Sequence, residues 1–290
     1  MKLAQLVDAD NRSRLAAVRD GEALILQDLD AGFPSRLEAL IADSSLADVQ
    51  AAVMQADPRL WSPLARFRTA PPIQSPPKIV AIGVNYVDHA TEQGANPPEI
   101  PIVFALWQSS LSGDGDTITW DGSLTKQVDF EVELGVILGR DARDVSVDEA
   151  LTYVFGYTVI NDLSARDLQF RDQQWSRSKS LDGFTPIGPV VVTADEIPDP
   201  QSLDLWCVVD GLPLQRANTR EMHRGVATLI SYLSRGMTLE AGTVISTGTP
   251  GGVGYFRDPQ VFLVDGSTVT VGVAGIGELT THCRVTPGLD

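Results

Sequence analysis

Short runs of apolar residues, many rich in Val and Ile, recur along residues 78–290 of the chain. Gly, Pro, Asp and Ser separate these runs, which is the pattern of strands joined by turns. Few segments have helical spacing, and they cover residues 146–154, 164–171 and 223–236. Many strands and few helices predict an α+β fold that is mainly β, not a doubly wound nucleotide-binding fold. The predicted strands are residues 78–86, 100–106, 129–138, 155–162, 187–193, 203–211, 242–250, 267–275 and 278–285.

Residues 1–70 have a pattern of their own. Strand-like runs at residues 2–8, 13–21 and 22–29 precede helical spacing over residues 35–55. The Pro-rich segment 71–77 then interrupts regular structure, because proline fixes the backbone and removes a hydrogen-bond donor. We therefore predict a small N-terminal α/β domain at 1–70, a Pro-rich linker at 71–77 and the main domain at 78–290.

The charge balance excludes some partners. The chain has 38 Asp and Glu against 22 Lys and Arg, a net charge of −16, which repels nucleic acid and argues weakly against anionic membranes. No apolar stretch reaches the roughly 18 residues of a membrane span, and none near the start suits a signal peptide. We expect a cytoplasmic protein. The two cysteines form no CxxC pair and are predicted to be buried and inert.

Two acidic residues lie on one face of an otherwise apolar predicted strand. Side chains alternate along a strand, so Glu131 and Glu133 are neighbours on that face. A solvated strand face would explain the pair, but Asp162 ends a second apolar strand, a position where ligand-binding side chains are common. Three carboxylates with no nearby His or Cys pattern favour a hard cation, Mg²⁺, Mn²⁺ or Ca²⁺, over zinc. The sequence predicts a metal site here.

Two further segments have candidate chemistry. Lys179 lies in a polar turn, where it is either a surface lysine or, beside an acidic metal site, a ligand for a substrate carboxylate or an oxyanion. His89 precedes Glu92 by three residues, so the two share a face if that segment is helical. They are then either a surface pair or a general base oriented by a carboxylate. The Gly-rich stretches 247–254 and 272–277 fail the tests for nucleotide-binding loops.

These segments together resemble the fumarylacetoacetate hydrolase family. They follow one another in the family's order, and they cover roughly Lys78 to Arg284. The combination of ExE, NDxSARDxQ and TGTPxGVG is highly specific. The matching segments are GVNYVDHATE, PIVF, DFEVELGVILG, VINDLSARDLQ, SRSKSLDGF with the following PIGP, and ISTGTPGGVG.

The resemblance implies a mixed β-roll core, a homodimer and a divalent cation, Mg²⁺ or Mn²⁺, with Ca²⁺ possible in crystals. It also assigns a role to each candidate residue, and the sequence departs from the family's pattern at none of them. The implied roles are metal binding for Glu131, Glu133 and Asp162, catalysis for His89, Glu92 and Lys179, and substrate binding for Arg166, Gln169 and Thr249.

The activity implied by the resemblance is cleavage of a carbon–carbon bond in a 2,4-dioxo acid of the acylpyruvate type, a reaction typical of aromatic catabolism. His89, held by Glu92, is expected to deprotonate a water, and Lys179 to stabilise the developing negative charge. The products are pyruvate and a carboxylic acid, and residues 94–100 are expected to help select the acyl group. Alternatives are an oxaloacetate decarboxylase, a 2-oxo acid tautomerase or isomerase, and a non-catalytic, metal-stabilised β module.

Overall fold

A computed structural model describes residues 1–288 of the chain. Within them, short 3₁₀ turns join many of the elements. No helix among these residues is both long enough and apolar enough to cross a bilayer. The strands are β1 Lys2–Val7, β2 Ser13–Arg19, β3 Glu22–Ile25, β4 Ser62–Pro63, β5 Arg68–Ala70, β6 Ile79–Gly83, β7 Ile102–Ala105, β8 Leu111–Ser112, β9 Thr117–Asp121, β10 Val128–Asp129, β11 Val132–Leu138, β12 Val154–Asn161, β13 Ser164–Ala165, β14 Thr185–Thr193, β15 Asp204–Val209, β16 Leu212–Asn218, β17 Val244–Ser246, β18 Thr268–Val273 and β19 Gly277–Thr286. The helices are α1 Leu26–Leu29, α2 Leu37–Ala42, α3 Leu46–Met54, α4 Val87–Glu92, α5 Val147–Ala150, α6 Arg166–Asp172, α7 Trp175–Ser178 and α8 Val226–Ser234.

Most strands belong to two mixed sheets. The larger sheet has the order β4-β3-β2-β1-β14-β12-β11-β17-β6-β7, with β5 also paired to β1 and β8 to β14. The smaller sheet has the order β16-β15-β18-β19-β9. Most neighbours are antiparallel, but β6 with β17, β8 with β14 and β9 with β19 are parallel. This sheet-dominated architecture confirms the α+β, mainly β fold that the apolar runs predict.

Strands β11 and β12 form the centre of the larger sheet, and every residue in both is buried. Alternate residues of β11 contribute to two different apolar clusters. Val132, Leu134 and Val136 belong to the larger cluster, whereas Ile137 belongs to the second. A strand covered on both faces needs apolar residues on both, which is why residues 134–138 of β11 form an uninterrupted apolar run.

The N-terminal segment adds strands to the larger sheet. Strand β1 pairs with β14, and Leu3 and Leu24 lie in the same apolar cluster as Ile137 and Ile187. Residues 1–70 therefore share a sheet and a core with the rest of the chain. The division into domains at residues 70 and 78 stays a prediction about folding units.

The structure differs from the sequence prediction at several elements. Residues 129–138 are not one strand: β10 ends at Asp129 and β11 starts at Val132, because the N–H groups of Phe130 and Glu131 donate to side chains. Residues 22–29 divide into β3 and α1. The prediction missed β9 and β16, since polar or exposed residues interrupt their apolar positions.

We expect that Leu205→Ala in β15 lowers the free energy of unfolding by about 2–5 kcal/mol, because it leaves a cavity in the core. Leu205 is fully buried, whereas Leu212 on the neighbouring strand β16 is 63% exposed. Leu212→Ala is therefore the matched control, with an expected change within about 0.5 kcal/mol. Denaturant unfolding of both variants measures the difference, and equal losses would contradict the assignment of the core.

Candidate active site

Three carboxylates meet at the end of the central strand pair. Glu131 lies just before β11, Glu133 lies within β11, and Asp162 follows β12 directly. The antiparallel pairing of these strands continues past their ends, since the N–H of Asp162 donates to the carbonyl of Glu131 at 3.0 Å. One oxygen from each carboxylate lies within 4.8 Å of the others, and all three residues are buried. The predicted acidic trio is therefore brought together.

Two buried cations contact this trio. Lys179 Nζ lies 2.7 Å from Glu131 Oε2 and 2.6 Å from Asp162 Oδ2. Arg166 donates to the other oxygen of Glu131 at 2.6 Å and to Asp129 Oδ2 at 2.9 Å. Burial of unpaired charges is costly, so these ion pairs stabilise side chains that the interior would otherwise exclude.

The ion pairs affect the three carboxylates unequally. Burial would raise the pKa of Glu131, but the charges of Lys179 and Arg166 outweigh it and hold that pKa at about 2. Burial and the charges of Asp162 and Glu131 raise the pKa of Glu133 well above its usual range. Burial also raises the pKa of Asp162, to about 6, although Lys179 opposes it. Without a further cation, the site therefore favours a proton on Glu133.

Hydrogen bonds from the end of β17 and from the loop that follows it hold the third carboxylate. Glu133 Oε2 accepts from Ser246 Oγ at 2.5 Å and from the N–H of Gly248 at 2.8 Å. The same loop carries Thr249, whose hydroxyl accepts from Gln215 Nε2 at 2.9 Å. The glycine-rich loop thus supports the acidic trio.

His89 and Glu92 form a hydrogen-bonded pair on one face of helix α4. His89 Nδ1 lies 2.6 Å from Glu92 Oε1, and the other carboxylate oxygen accepts from the N–H of Gly252 at 2.7 Å. Because an ionised carboxylate is an acceptor, the proton between the pair belongs on Nδ1. Nε2 is then the acceptor nitrogen, as a general base requires.

One cleft connects these groups. Eight of the nine site residues predicted from the sequence line it, and the ninth, Glu92, holds His89 from behind. Residues 94–100, expected to help select the acyl group, are not among the lining residues. The lining comprises Ile82, Gly83, Val84, His89, Gln93, Phe104, Glu131, Glu133, Asp162, Arg166, Gln169, Phe170, Trp175, Lys179, Thr249 and Phe256.

Comparison with known proteins identifies the family. Residues 78–284 match the sequence profile described as fumarylacetoacetate (FAA) hydrolase C-terminal. The chain belongs to the fumarylacetoacetate hydrolase family. A relative from Burkholderia lata, which its name describes only provisionally as a hydrolase, is 42% identical over 287 residues, covering 96% of this chain and 94% of the relative.

Solved structures of the fumarylacetoacetate hydrolase family share the fold. A fumarylacetoacetate hydrolase from Exiguobacterium antarcticum superposes with a TM-score of 0.87 at 36% identity, over 99% of this chain and all of that one. A 2-hydroxyhepta-2,4-diene-1,7-dioate isomerase from Mycobacterium marinum gives 0.77 at 30%, with the same coverage. A maleylpyruvate hydrolase from Sphingobium sp. SYK-6, solved with manganese(II) and pyruvate, gives 0.80 at 28%, over 98% and 99% of the chains. The family therefore includes both hydrolases and isomerases.

The buried charges of the cleft fit a divalent cation. Four buried carboxylates face two buried cations, which leaves two negative charges when all are ionised. Asp162 Oδ1 is buried and has no hydrogen-bond partner among the described residues. A divalent ion bound by oxygen ligands would supply both the missing charge and the missing partner. We call these six side chains the charge cluster: Asp129, Glu131, Glu133, Asp162, Arg166 and Lys179.

Arg166 and Gln169 are adjacent on one face of helix α6. Arg166 Nη1 donates to Gln169 Oε1 at 3.0 Å, and the other described donor contacts of the Arg166 side chain go to Asp129 and Glu131. The described contacts leave the amide nitrogen of Gln169 available for a ligand. Arg166 is therefore placed to position its neighbours, and Gln169 to reach a bound molecule.

The sequence prediction missed three residues that support the site. Asp129 accepts from Arg166 and from the N–H groups of Gly254 and Tyr255, which fixes the loop beside the cleft. Its even spacing from Glu131 and Glu133 is a signal that was available in the sequence. The roles of Ser246 and Gln215 depend on contacts between distant segments, which no local pattern indicates.

Val84 lines the cleft in a strained backbone conformation. Its φ is +54°, in the left-handed region that a β-branched residue rarely adopts. The next residue, Asn85, holds the backbone in place, because its amide donates to the carbonyls of Arg224 and Thr247 at 3.0 and 2.8 Å. Such strain persists where surrounding contacts impose it, commonly at ligand sites.

We expect Mn²⁺ at a concentration 100-fold above its Kd to stabilise the protein by about 2.7 kcal/mol, or roughly 5 °C in Tm. Glu133→Gln should lose most of this shift, because one oxygen ligand becomes an uncharged amide group. Glu22→Gln, on the exposed start of β3, is the matched control. Thermal scans with Mn²⁺ and then with EDTA measure the shift, and a full shift in Glu133→Gln would exclude this residue as a ligand.

We expect Lys179→Met to destabilise the metal-free protein by about 3–5 kcal/mol, because it leaves the buried carboxylates of Glu131 and Asp162 without their partner. Lys78→Met is the control, since Lys78 pairs with Glu240 at the surface and such pairs contribute about 0–1 kcal/mol. Denaturant unfolding in EDTA compares the two variants. Equal losses would show that burial adds nothing to the ion pairs of Lys179.

Proposed function

We propose that this protein hydrolyses the carbon–carbon bond of an acylpyruvate, a 2,4-dioxo acid, to give pyruvate and a carboxylic acid. The observation that carries the proposal is the hydrogen-bonded chain from the N–H of Gly252 through Glu92 to His89, which lines the same cleft as the acidic trio. A base oriented in this way activates water. An enzyme that only moves protons within its substrate does not need a water-activating pair.

The metal we propose is Mg²⁺ or Mn²⁺, held by Glu131, Glu133 and Asp162. The family supports this choice, since the maleylpyruvate hydrolase of Sphingobium sp. SYK-6 was solved with manganese(II) and pyruvate. When bound, such an ion polarises carbonyl oxygens and offsets developing negative charge. The hard carboxylate donor set suits either ion.

The residues of the cleft then divide the reaction between them. His89 Nε2 takes a proton from water as the water oxygen bonds to the distal carbonyl carbon, and Glu92 stabilises the resulting imidazolium. Lys179 stabilises the negative charge on that carbonyl oxygen. The bond between the acyl carbon and the adjacent methylene breaks, and its electron pair stays on the methylene carbon. As the oxyanion reforms a carbonyl and gives the carboxyl group of the released acid, that carbon takes up the proton that His89 removed from water and becomes the methyl group of pyruvate.

The remaining predicted residues orient the substrate. Gln169 and Thr249 line the cleft beside the acidic trio, and Arg166 holds Gln169 in place. Their amide and hydroxyl groups suit the oxygens of a 2-oxo acid. These residues have to place the distal carbonyl next to His89, because proximity of the reacting groups contributes much of the rate enhancement.

Three other activities remain as alternatives. A decarboxylase of oxaloacetate would use the same acidic trio, and so would a 2-oxo acid tautomerase or isomerase such as the family member from Mycobacterium marinum. A non-catalytic, metal-stabilised module would gain stability from the ion and release no product. The homodimer, the cytoplasmic location and the link to aromatic catabolism stay predictions from the resemblance.

We expect purified protein with Mn²⁺ to release pyruvate from acetylpyruvate, and excess EDTA to abolish the release. His89→Ala should lower kcat by about 10²- to 10⁴-fold, the usual contribution of a general base, while the thermal shift with Mn²⁺ is retained. His282→Ala is the matched control, because His282 is an exposed residue of β19 outside the cleft. A coupled assay for pyruvate measures all three proteins.

Each outcome selects one activity. Full hydrolysis by His89→Ala would contradict the base assignment. Pyruvate release from oxaloacetate but not from acetylpyruvate would favour the decarboxylase. Thermal stabilisation by Mn²⁺ without turnover of either compound would overturn the hydrolase proposal in favour of an isomerase or a binding module.

A further inference from the structure

Part of the cleft lining is strongly apolar. Its polar portion consists of five members of the charge cluster (all but Asp129) together with His89, Gln93, Gln169 and Thr249, and what is left, apart from Gly83, is aromatic or aliphatic. The two portions adjoin, since Lys179 Nζ lies 5.6 Å from the centroid of the Phe104 ring and the rings of His89 and Phe256 are 6.2 Å apart. We call the apolar portion the apolar wall: Ile82, Val84, Phe104, Phe170, Trp175 and Phe256.

Close packing fixes the rings of the apolar wall. Trp175 meets Phe104 edge to face at 5.4 Å between ring centroids. The Trp175 ring also packs on the backbone of Gly83, where an added Cβ would lie 2.2 Å from a ring carbon. Tyr255, behind the wall, contacts Phe170 at 4.8 Å and Phe256 at 5.0 Å. The wall is therefore preorganised and offers a surface of fixed shape.

Neither cation of the cleft is left for a second carboxylate, because both are ion-paired within the charge cluster and Lys179 also serves the reacting carbonyl oxygen in the proposed reaction. Within residues 1–288, the Lys and Arg side chains that line the cleft are Lys179 and Arg166, and both are engaged by the charge cluster. Arg171 and Arg177 pair with Asp172, and Arg257, which follows Phe256 in the chain, donates to the carbonyls of Gly252 and Leu214. A carboxylate placed against the apolar wall would lose part of its hydration without gaining a cationic partner, which is unfavourable.

Phe170 lines the cleft while its side chain remains 52% exposed. An exposed ring that borders a ligand cleft gains from being covered by an apolar group, because burial removes its surface from water. Together with the missing cation, this exposure indicates which kind of substituent the cleft accepts.

We propose that the acyl substituent of the substrate is uncharged and apolar, and that it packs against Phe104, Phe170, Trp175 and Phe256. This inference rests on the proposed function, because it concerns the distal end of the same 2,4-dioxo acid. It distinguishes this chain from an enzyme for dicarboxylic substrates, such as the one its relative from Mycobacterium marinum is named for, a diene-1,7-dioate. The apolar wall is then the part of the site that determines specificity.

The test is binding of unreactive 2-oxo acids to the Mn²⁺-loaded protein by calorimetry. 2-Oxohexanoate and 2-oxoadipate have the same carbon chain and differ in a terminal methyl against a terminal carboxylate. We expect 2-oxohexanoate to bind at least tenfold more tightly than 2-oxoadipate, and phenylpyruvate more tightly than pyruvate. Equal affinities for the two six-carbon acids, or tighter binding of 2-oxoadipate, would overturn the proposal.

Substitutions locate the preference on the wall. Phe170→Ala should lower the affinity for phenylpyruvate about tenfold relative to pyruvate, and Phe170→Lys should raise the affinity for 2-oxoadipate relative to 2-oxohexanoate. Tyr232→Ala is the control, because Tyr232 is 40% exposed on α8 and lies outside the cleft. Unchanged ratios in both Phe170 variants would contradict the assignment of the wall.

The inference and the proposed function fail separately. Tighter binding of apolar 2-oxo acids without pyruvate release from any acylpyruvate would refute hydrolysis but support the role of the apolar wall in specificity. Pyruvate release at equal kcat/KM from benzoylpyruvate and from an acylpyruvate with a terminal carboxylate would support hydrolysis. It would overturn the inference that the apolar wall selects an uncharged substituent.

Discussion

The charge cluster is the constraint on which the rest of the site depends. Four carboxylates and two cations lie in the interior at the end of β11 and β12. Each cation contacts two carboxylates, yet the net charge of the ionised cluster is still negative. One oxygen of Asp162 also has no hydrogen-bond partner among the described residues. Excess negative charge in the interior destabilises the folded protein unless a further cation binds. The interior is therefore suited to a divalent cation.

The strands and the loop around this cluster hold its buried carboxylates in place. Strands β11 and β12 are buried throughout and carry the acidic residues on a rigid frame. A loop from a distant part of the chain then closes over the carboxylates: Gly248 donates to Glu133, Gly252 to Glu92 and Gly254 to Asp129. This glycine-rich loop thereby connects the acidic trio, the His89–Glu92 pair and the carboxylate that holds Arg166. Rigid placement of this kind is what catalysis by orientation requires.

Local patterns were sufficient for much of this description. Alternation along residues 129–138 put Glu131 and Glu133 side by side, and the spacing of His89 and Glu92 put them on one helix face. The same alternation missed the break at Phe130 and Glu131, because the side chains that take up their N–H groups include Asn161, a residue of another strand. Strands β9 and β16 were missed because neither contains a continuous apolar run, although β9 alternates exposed and buried residues.

The sequence by itself determined the fold class, the family and the candidate residues, since periodicity and motif spacing are properties of neighbouring positions. The tertiary structure alone decided which charges pair, because Lys179 and Arg166 reach carboxylates 17 to 48 positions away in the chain. It also decided that Phe104, Phe170, Trp175 and Phe256 share one cleft. Contacts of that range depend on how the sheets close around the site, and no local pattern carries that information.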